Sequence, residues 1–577
     1  MSSHRAGSLL KGLFLSVGAG ALLGALGCAS VLPPLTPPEA GGAAWRELVS
    51  KHVVLRTDRG EADAREALVE LERTFVALHD VGFSQVGIEG SRIVAVHFDR
   101  ERDYLKFEPA GTAGAFLWRL PNDLEAEPTM LVWGTLDVTA RATLQHELTH
   151  LFVRASLAGL PPWMSEGLAQ YWETLSVENG SAFVGRPLVK MRAWAQSNWM
   201  SERVGAFMQS KVPVGAVPSV VDLASMSAGD FYVWGRDPNN PSLDTLKSRT
   251  THYLGAWGLV HLLMHDPAYQ PRLDSMMEQM AGGVAPRRAW ELALAGVNAE
   301  EMETAYRQHM LNKFETMVLR TAYQHPAVAI EAERVMDPAE VHLLWARLRP
   351  WRGDDLPAAR ADVEAAVKLA PGGVEVRFWS ALFQARTGDL AAAEKELEEV
   401  IAAKPKEARY LTALALVRGK QASGQAPGSE AGLRFAEVMA RLAKVAATGP
   451  ELDMVAEYEA GRRRWDSARS FAERAVKVDP VCGSCFATLA VTLFAKQEYG
   501  AAAAAQQIAL SLLPDGAQAP AEETKLREYV EAARKQAEGT PAPDKAPAPE
   551  KAPAAEKEPG EAGAAEKAGA EGKPGAK

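Results

Sequence analysis

Residues 144–153 read LQHELTHLFV, an apolar run that contains His146, Glu147 and His150. The leucines and the phenylalanine recur at helical spacing, so the run predicts one helix with a buried side. Side chains four residues apart lie on the same face of a helix, and both imidazoles can therefore reach one point in space. Polar groups are unfavourable in an apolar core unless they are paired. The stretch therefore predicts a helix whose polar face surrounds a cation.

A third metal ligand is predicted in the segment PPWMSEGLAQYWE at Glu166, with 15 residues between it and His150. Pro161 and Pro162 start a new helix, because proline fits the first helical turn. Gly167 has no side chain and would let this helix pack close to the first. Zinc in a catalytic site takes three protein ligands and a water. The sequence therefore predicts one Zn²⁺ per chain.

Glu147 stands beside the first histidine and is placed to take a proton from a zinc-bound water, whose pKa the ion lowers. The HELTH motif followed by WMSEGLAQYWE resembles gluzincin metallopeptidases, specifically the peptidase MA-like group of bacterial proteins. The resemblance covers about residues 45 to 320. It implies peptide hydrolysis, with His146, His150 and Glu166 as zinc ligands and Glu147 as the general base.

Other groups are candidates for supporting roles at this site. The resemblance implies a donor for the oxyanion of the tetrahedral intermediate, and Tyr253, His261 and Tyr171 are candidates. Each has an alternative interpretation as a core aromatic or a buried histidine. Glu173 is a candidate hydrogen-bond partner for a ligand histidine, or else a solvated charge. The strand AGAFLWR is the candidate edge that would pair with a substrate peptide.

The segment 45–325 is predicted to be an α+β domain with a small mixed sheet. KHVVLRTD, SRIVAVHF, AGAFLWR and PTMLVW are predicted strands, and ADAREALVELERTFVALHDV is a predicted helix. The metal-binding helix follows, with Asp137 or Thr139 as its N-cap. Beyond residue 176 we expect mainly helices, of which HYLGAWGLVHLLMHD is apolar almost all round and therefore buried.

Residues 340–535 contain a repeat. Pro371 and Pro405 are 34 residues apart, as are Pro480 and Pro514. In each copy a bulky residue stands three before a small one; the pairs are Leu356 and Ala359, Leu390 and Ala393, Trp465 and Ala468, and Tyr499 and Ala502. These segments resemble tetratricopeptide repeats, which implies an all-α array that holds peptides or partner proteins. The repeat is degenerate between residues 406 and 450, and the alternative is an ordinary alanine-rich bundle.

Residues 1–27 have the layout of an export signal, with a basic start and an apolar run of small residues. The run ends in LGALGC, which resembles the lipobox of bacterial lipoproteins, with Ala25 where leucine is usual. The resemblance implies a lipid on Cys28, and the alternative is a plain secretory signal. Residues 28–44 are predicted to be a Pro/Gly tether. We therefore expect a lipid-anchored protein of the bacterial cell envelope, in the outer membrane facing the periplasm or the cell surface.

Composition narrows the remaining choices. A net charge of −10 with interspersed signs argues against nucleic-acid binding. Residues 538–577 alternate Pro, Ala, Glu and Lys without apolar periodicity, which predicts a disordered tail. Cys482 and Cys485 in VCGSCF are interpreted as a structural pair or as two free buried thiols, because the sequence shows no electropositive setting that would activate a thiol.

Two functions from different classes follow from these patterns. The first is a zinc-dependent peptidase of the bacterial cell envelope, anchored by acylated Cys28, that hydrolyses a protein or peptide substrate with Glu147 as general base. The second is a catalytically silent lipoprotein scaffold whose repeats bind envelope proteins.

Overall fold

The computed structural model describes residues 34–87, 92–107, 114–117, 127–157, 160–186, 216–226, 228–232, 243–281, 284, 286–311, 317–480, 482–512 and 519–539. The described residues up to Ala446 form one compact unit, and those from Ala447 onward form a second. The predicted signal, the predicted lipid-attachment residue Cys28 and residues 540–577 of the predicted tail lie outside the described residues. No helix in the described part of the chain is long and apolar enough to cross a membrane.

The first unit contains two sheets. Its strands are β1 (Arg46–Val49), β2 (Val53–Thr57), β3 (Ile93–Phe98), β4 (Gly114–Leu117), β5 (Thr129–Trp133), β6 (Ser176–Glu178), β7 (Ser181–Val184), β8 (Met317–Thr321) and β9 (Ala332–Val335). The main sheet has the order β4-β5-β3-β2-β1-β9. Strands β2, β3 and β5 are parallel, whereas β1, β4 and β9 pair antiparallel with their neighbours. The predicted mixed sheet is therefore confirmed, with β1 and β9 as strands that the sequence analysis missed.

The second sheet was not predicted, although the described residues between 176 and 325 are mainly helical as expected. Strands β6, β7 and β8 form an antiparallel sheet in that order. Asn179 and Gly180 connect β6 to β7, and both have positive φ angles, of 50° and 73°. An Asn-Gly pair favours such a tight hairpin because both residues tolerate this backbone conformation. This dipeptide was the sequence signal for the hairpin.

The helices of the first unit follow the predicted periodicities. Up to residue 311 they are α1 (Glu61–Gly82), α2 (Glu101–Tyr104), α3 (Val138–Ser156), α4 (Pro162–Trp172), α5 (Val220–Ser225), α6 (Ala228–Phe231), α7 (Leu243–His265), α8 (Gln270–Ala281), α9 (Pro286–Ala293) and α10 (Ala299–Leu311). Helices α1, α3, α4 and α7 share one large apolar core with one face of the main sheet. The end of α7 that contains HYLGAWGLVHLLMHD includes Trp257, Leu259 and Leu263, each at most 2% exposed.

The first helix of the repeat region packs on the other face of the main sheet. Helix α11 (Pro338–Leu348) places Leu344 and Trp345 against Trp45, Val96 and Phe98. Successive residues of β3 point to opposite faces of the sheet, and all six residues of this strand are buried, so both faces are covered. Strand β9 and helix α11 therefore join the sheet to the helices that follow.

The repeat region is helical throughout its described length. In the first unit the further helices are α12 (Leu356–Leu369), α13 (Val374–Thr387), α14 (Leu390–Ala403), α15 (Ala408–Ala422) and α16 (Glu430–Leu442). The second unit contains α17 (Gly449–Gly461), α18 (Trp465–Val478), α19 (Gly483–Ala495), α20 (Tyr499–Leu512) and α21 (Ala519–Ala537). The small repeat residues Ala359, Ala393, Ala468 and Ala502 are all 0% exposed. The degenerate stretch still forms the helix pair α15 and α16.

Candidate metal centre

Helix α3 positions the first two candidate ligands. Asp137 precedes the helix and its Oδ1 accepts the backbone N–H of Ala140 at 2.9 Å, which supports Asp137 as the N-terminal cap. On the apolar side, Leu144, Leu148 and Phe152 are at most 1% exposed within the main core. This anchoring fixes the rotation of α3 about its axis, so that both histidines of HELTH stand on the side facing α4.

The two imidazoles and the Glu166 carboxylate converge. Nε2 of His146 lies 3.3 Å from Oε2 of Glu166, and Nε2 of His150 lies 3.7 Å from Oε1 of the same group. One ligand atom from each of the three residues lies within 4.8 Å of the others. Zinc bonds of about 2.0–2.2 Å in tetrahedral geometry separate neighbouring ligand atoms by roughly 3.4 Å. The observed separations therefore suit a single zinc ion.

The outer ring nitrogens are held by other groups. Nδ1 of His146 lies 2.8 Å from Oε2 of Glu173, and Nδ1 of His150 lies 3.1 Å from Oγ of Ser165. A carboxylate only accepts, so Nδ1 of His146 carries a proton, and Nε2 is the ring nitrogen that faces Glu166. Glu173 is 4% exposed, so it is a buried partner of a candidate ligand and not a solvated charge. Such contacts orient metal-binding histidines.

Glu166 has the environment of a carboxylate that faces a cation. It is 6% exposed, and its Oε2 has no well-aligned hydrogen bond within the described part of the chain. Burial raises the pKa of Glu166, but the imidazoles of His150 and His146 and the hydroxyl of Tyr232 outweigh it and lower this pKa to about 2. A buried, ionised carboxylate with an oxygen left over is what a bound divalent cation would neutralise.

The close approach of α4 has a different cause from the one predicted. Gly167 was expected to admit α3, but that prediction was wrong. A Cβ at Gly167 would lie 2.6 Å from the carbonyl oxygen of Ala256 and 2.6 Å from Cγ2 of Val260, both on α7. Because Gly167 has no side chain, α7 packs directly against the backbone of α4. This packing fixes the helix that carries Glu166.

Glu147, the predicted general base, lies on α3 directly after His146. Its side chain is neither buried nor fully exposed. The neighbouring candidate ligand His146 is 9% exposed, so the two residues mark the transition from the core to an accessible surface. A proton-transfer group needs such access to substrate and water.

Two of the three predicted oxyanion donors are engaged within a second polar cluster. The hydroxyl of Tyr171 lies 3.0 Å from Nε2 of His265. His261 contacts the carbonyl oxygen of Gly185 through Nε2 at 3.0 Å and Nε2 of His309 through Nδ1 at 2.9 Å. Both Tyr171 and His261 are 0% exposed. The structure therefore gives these two residues the alternative interpretation, that of buried core groups.

The hydroxyl beside the candidate metal centre belongs to Tyr232, which the sequence analysis did not select. Its Oη donates to Oε1 of Glu166 at 3.0 Å. The predicted donor Tyr253 packs its ring on that of Tyr232, with 6.4 Å between centroids, and its carbonyl oxygen accepts from Gln170. Tyr232 follows the four-residue helix α6. A segment this short has no periodicity that could have indicated its direction.

Comparison with known proteins confirms the prediction that the chain contains tetratricopeptide repeats. A tetratricopeptide-repeat family model matches residues 353–417, so the chain contains a tetratricopeptide repeat array. No curated protein matches the chain. One similar solved structure is a thermophilic TPR protein from Thermus thermophilus, with 19% identity over 34% of this chain and 97% of that one, at a TM-score of 0.26. Another is yeast Tom70, with 10% identity over 69% of this chain and 86% of that one, at a TM-score of 0.25. Likenesses at these TM-scores support no conclusion about this chain.

Proposed function

We propose that this chain is a zinc-dependent peptidase of the gluzincin type. The observation that supports it is the convergence of Nε2 of His146, Nε2 of His150 and the carboxylate of Glu166, with both outer ring nitrogens already held by Glu173 and Ser165. Three ligands with one coordination position left for water are typical of catalytic zinc. A purely structural zinc site would be closed by a fourth protein ligand.

Few side chains would take part in the proposed hydrolysis of the peptide bond. His146, His150 and Glu166 would hold the ion, which when bound supplies Lewis acidity to a water and to the substrate carbonyl. The Glu147 carboxylate would take the proton of the attacking water and deliver it to the nitrogen of the leaving amine. The Tyr232 hydroxyl, which donates to Glu166, holds that carboxylate in place.

A peptide is the substrate class that the neighbouring sheet favours. Strand β4, within the predicted strand AGAFLWR, is the outermost described strand on its side of the main sheet. It lies against α3, the helix with both candidate histidines. An unpaired strand edge can accept an extended peptide by backbone hydrogen bonds. A substrate bound in this way would run past the candidate metal centre.

The repeat array supports a second function within the same proposal. Tetratricopeptide arrays present extended surfaces to protein partners, and the matched residues 353–417 follow directly after α11, which covers the main sheet. The array would hold a protein substrate or an envelope partner near the peptidase domain. Anchoring through a lipid on Cys28 would place this assembly at a bacterial envelope membrane. If the metal centre proved silent, the array alone would support the scaffold function.

The test combines metal analysis with hydrolysis of labelled casein by the full chain. We expect one zinc per chain and measurable cleavage. Glu147→Gln should keep the zinc and lower the rate by about 10²–10⁴-fold, because only proton transfer is removed. Glu66→Gln, an exposed glutamate on α1, is the matched control and should change neither. Zinc bound with equal cleavage by wild type and Glu147→Gln would refute the role of Glu147. Bound zinc without cleavage would favour the scaffold.

A further inference from the structure

The second compact unit contains a disulfide at the start of a helix. Cys482 and Cys485 are bonded, with 5.3 Å between their Cα atoms. Cys482 is the N-cap of α19, and its sulfur accepts the backbone N–H of Cys485 at 3.2 Å. Backbone N–H groups at a helix N-terminus stabilise negative charge, including that of a thiolate. The position therefore favours a reactive sulfur at Cys482.

The two cysteines lie at different depths. As a residue Cys482 is partly exposed although its side chain is buried, whereas Cys485 is 0% exposed. Cys482 is therefore the cysteine of the pair that lies nearer the protein surface, and a thiol or disulfide from another molecule would approach from its side. Any proton that the buried thiol gains or loses must be exchanged with a group inside the protein.

Asp453 supplies such a group. It lies on α17 and is 5% exposed, and one of its oxygens lies within 4.8 Å of both sulfur atoms. Its Oδ1 has no hydrogen-bond partner in the described part of the chain, while the hydroxyls of Thr488 and Ser484 contact the carboxyl group. Burial raises the pKa of Asp453, so its proton is held more tightly than that of an exposed aspartate.

A structural role explains this arrangement poorly. A disulfide stabilises mainly by closing a loop, and its effect grows with the number of residues in the loop. Here the two cysteines are only three residues apart, and the loop between them is already ordered by the first turn of α19. An unpaired carboxyl oxygen in the core is unfavourable. A contribution to stability therefore explains neither the disulfide nor the burial of the Asp453 carboxyl group beside it.

We infer that Cys482, Cys485 and Asp453 form a thiol–disulfide exchange site for protein or peptide thiols. A substrate thiolate attacks the sulfur of Cys482, the bond to Cys485 breaks, and the Cys485 thiolate takes the proton of Asp453. A second substrate thiolate then releases Cys482 from the mixed disulfide. The two substrate thiols release two protons when they ionise; one returns to Asp453 and the other protonates Cys482. The substrate thus loses two electrons and becomes a disulfide, while the pair becomes two thiols. In the reverse direction, Asp453 accepts the proton of Cys485 as that thiol attacks Cys482.

The test measures how oxidised glutathione re-forms the disulfide of the reduced protein, which is the reverse of the reaction with substrate thiols. It uses the full chain with Cys28→Ser, so that Cys482 and Cys485 are the only cysteines. After reduction, oxidised glutathione should form a mixed disulfide at Cys482, which Cys485 then resolves, releasing two reduced glutathione molecules in all. In Asp453→Asn the second step should slow at least about tenfold, so that the mixed disulfide accumulates in mass spectra. Glu473→Gln, an exposed carboxylate on α18, should behave as wild type.

Three results would overturn the inference. The first is equal resolution rates in wild type and Asp453→Asn. The second is glutathione attached to Cys485 instead of Cys482 in the wild type, a measurement that does not depend on how any Asp453 variant folds. The third is a reduced chain that binds one zinc through these three residues and resists oxidised glutathione, which would assign them to a metal site. None of these results bears on the peptidase proposal, because the site lies in a different compact unit.

Discussion

Two helices of the first unit each contain a pair of histidines one turn apart, and the two pairs differ in geometry. On α3, the rings of His146 and His150 have centroids 5.0 Å apart and planes at 80°. On α7, His261 and His265 have the same sequence spacing, but their rings stack at 4.0 Å with planes at 13°. Identical spacing therefore does not produce an identical site.

The partners of the imidazoles explain the difference. On α3 the outer nitrogen of His146 contacts the carboxylate of Glu173, and the inner nitrogens of both rings approach Glu166. On α7 the ring nitrogens contact a backbone carbonyl, a tyrosine hydroxyl and another imidazole. Carboxylates supply the negative charge that a divalent cation requires, whereas the second set supplies neutral groups. We therefore propose metal binding at the pair on α3, where carboxylates surround the imidazoles.

The largest expected effect separates the two pairs by metal content. His150→Ala removes a ligand, and we expect the purified full chain to lose its zinc. His265→Ala, which alters the second histidine of the other pair, should keep one zinc per chain. Metal analysis after dialysis against a weak chelator measures both. If His265→Ala loses zinc and His150→Ala keeps it, the assignment of the metal centre is wrong.

A smaller effect is expected from the carboxylate that supports the first pair. Glu173→Gln keeps the size of the side chain and removes the charge that orients His146, so zinc affinity should fall about 10–100-fold. Competition with a coloured chelator gives the affinity. Glu178→Gln, on an exposed residue of β6, is a control for the loss of one negative charge nearby. Equal affinity in wild type and Glu173→Gln would show that the contact to His146 does not tune the metal centre.

The convergence of the three candidate ligands was predictable because their sequence pattern is local. His146 and His150 lie within one helix whose apolar side is unambiguous, and Pro161 and Pro162 mark the start of the next helix. Glu166 then follows at a fixed position. The same reasoning predicted β2, β3, β4 and β5, which are apolar runs bounded by turn residues. A one-turn relation or a continuous apolar strand is visible without any knowledge of long-range contacts.

The missed features depend on contacts between distant segments. Strand β1 has only four residues, and β9 joins it across more than 280 residues of sequence, with Arg46 opposite Val335. Tyr232 reaches Glu166 from a segment with no periodicity, and Gly167 meets α7 instead of α3. Neither a partner strand nor the neighbour of a glycine can be read from spacing alone, because tertiary packing decides both.

The pH dependence of the free energy of unfolding should depend on the protonation of His261, in the second histidine pair. Burial lowers the pKa of His261 to about 3, with further lowering by His265 and His309 against an opposing contact to the carbonyl of Gly185. The unfolded chain binds a proton at this imidazole below about pH 6.5, while the folded chain does not. Its contribution to stability is therefore complete above pH 6.5 and is lost as the pH falls toward 3, by about 2 kcal/mol between pH 7.5 and 5.

Urea unfolding of the full chain at pH 7.5 and 5 measures this loss. His261→Asn removes the titrating group and retains an amide that can donate to the carbonyl of Gly185. The free energy of unfolding of the variant should therefore fall less between the two pH values than that of the wild type. Equal losses would mean that His261 is protonated in the folded protein at pH 5, and the neutral description of this pair would be wrong.

The smallest expected effect concerns the tyrosine that only the structure identified. Tyr232→Phe removes one hydrogen bond to Oε1 of Glu166 and leaves the ring in place. A hydrogen bond of this kind contributes about 1 kcal/mol, so zinc affinity should fall roughly fivefold, since 1.4 kcal/mol corresponds to tenfold. Tyr253→Phe, at the donor predicted from sequence, should change the affinity less than twofold.

If Tyr232→Phe also lowers the rate at saturating zinc by much more than fivefold, the hydroxyl contacts the reacting group as well as Glu166. If Tyr253→Phe has the larger effect on either quantity, the sequence-based choice of donor was right and the contact between Tyr232 and Glu166 is incidental.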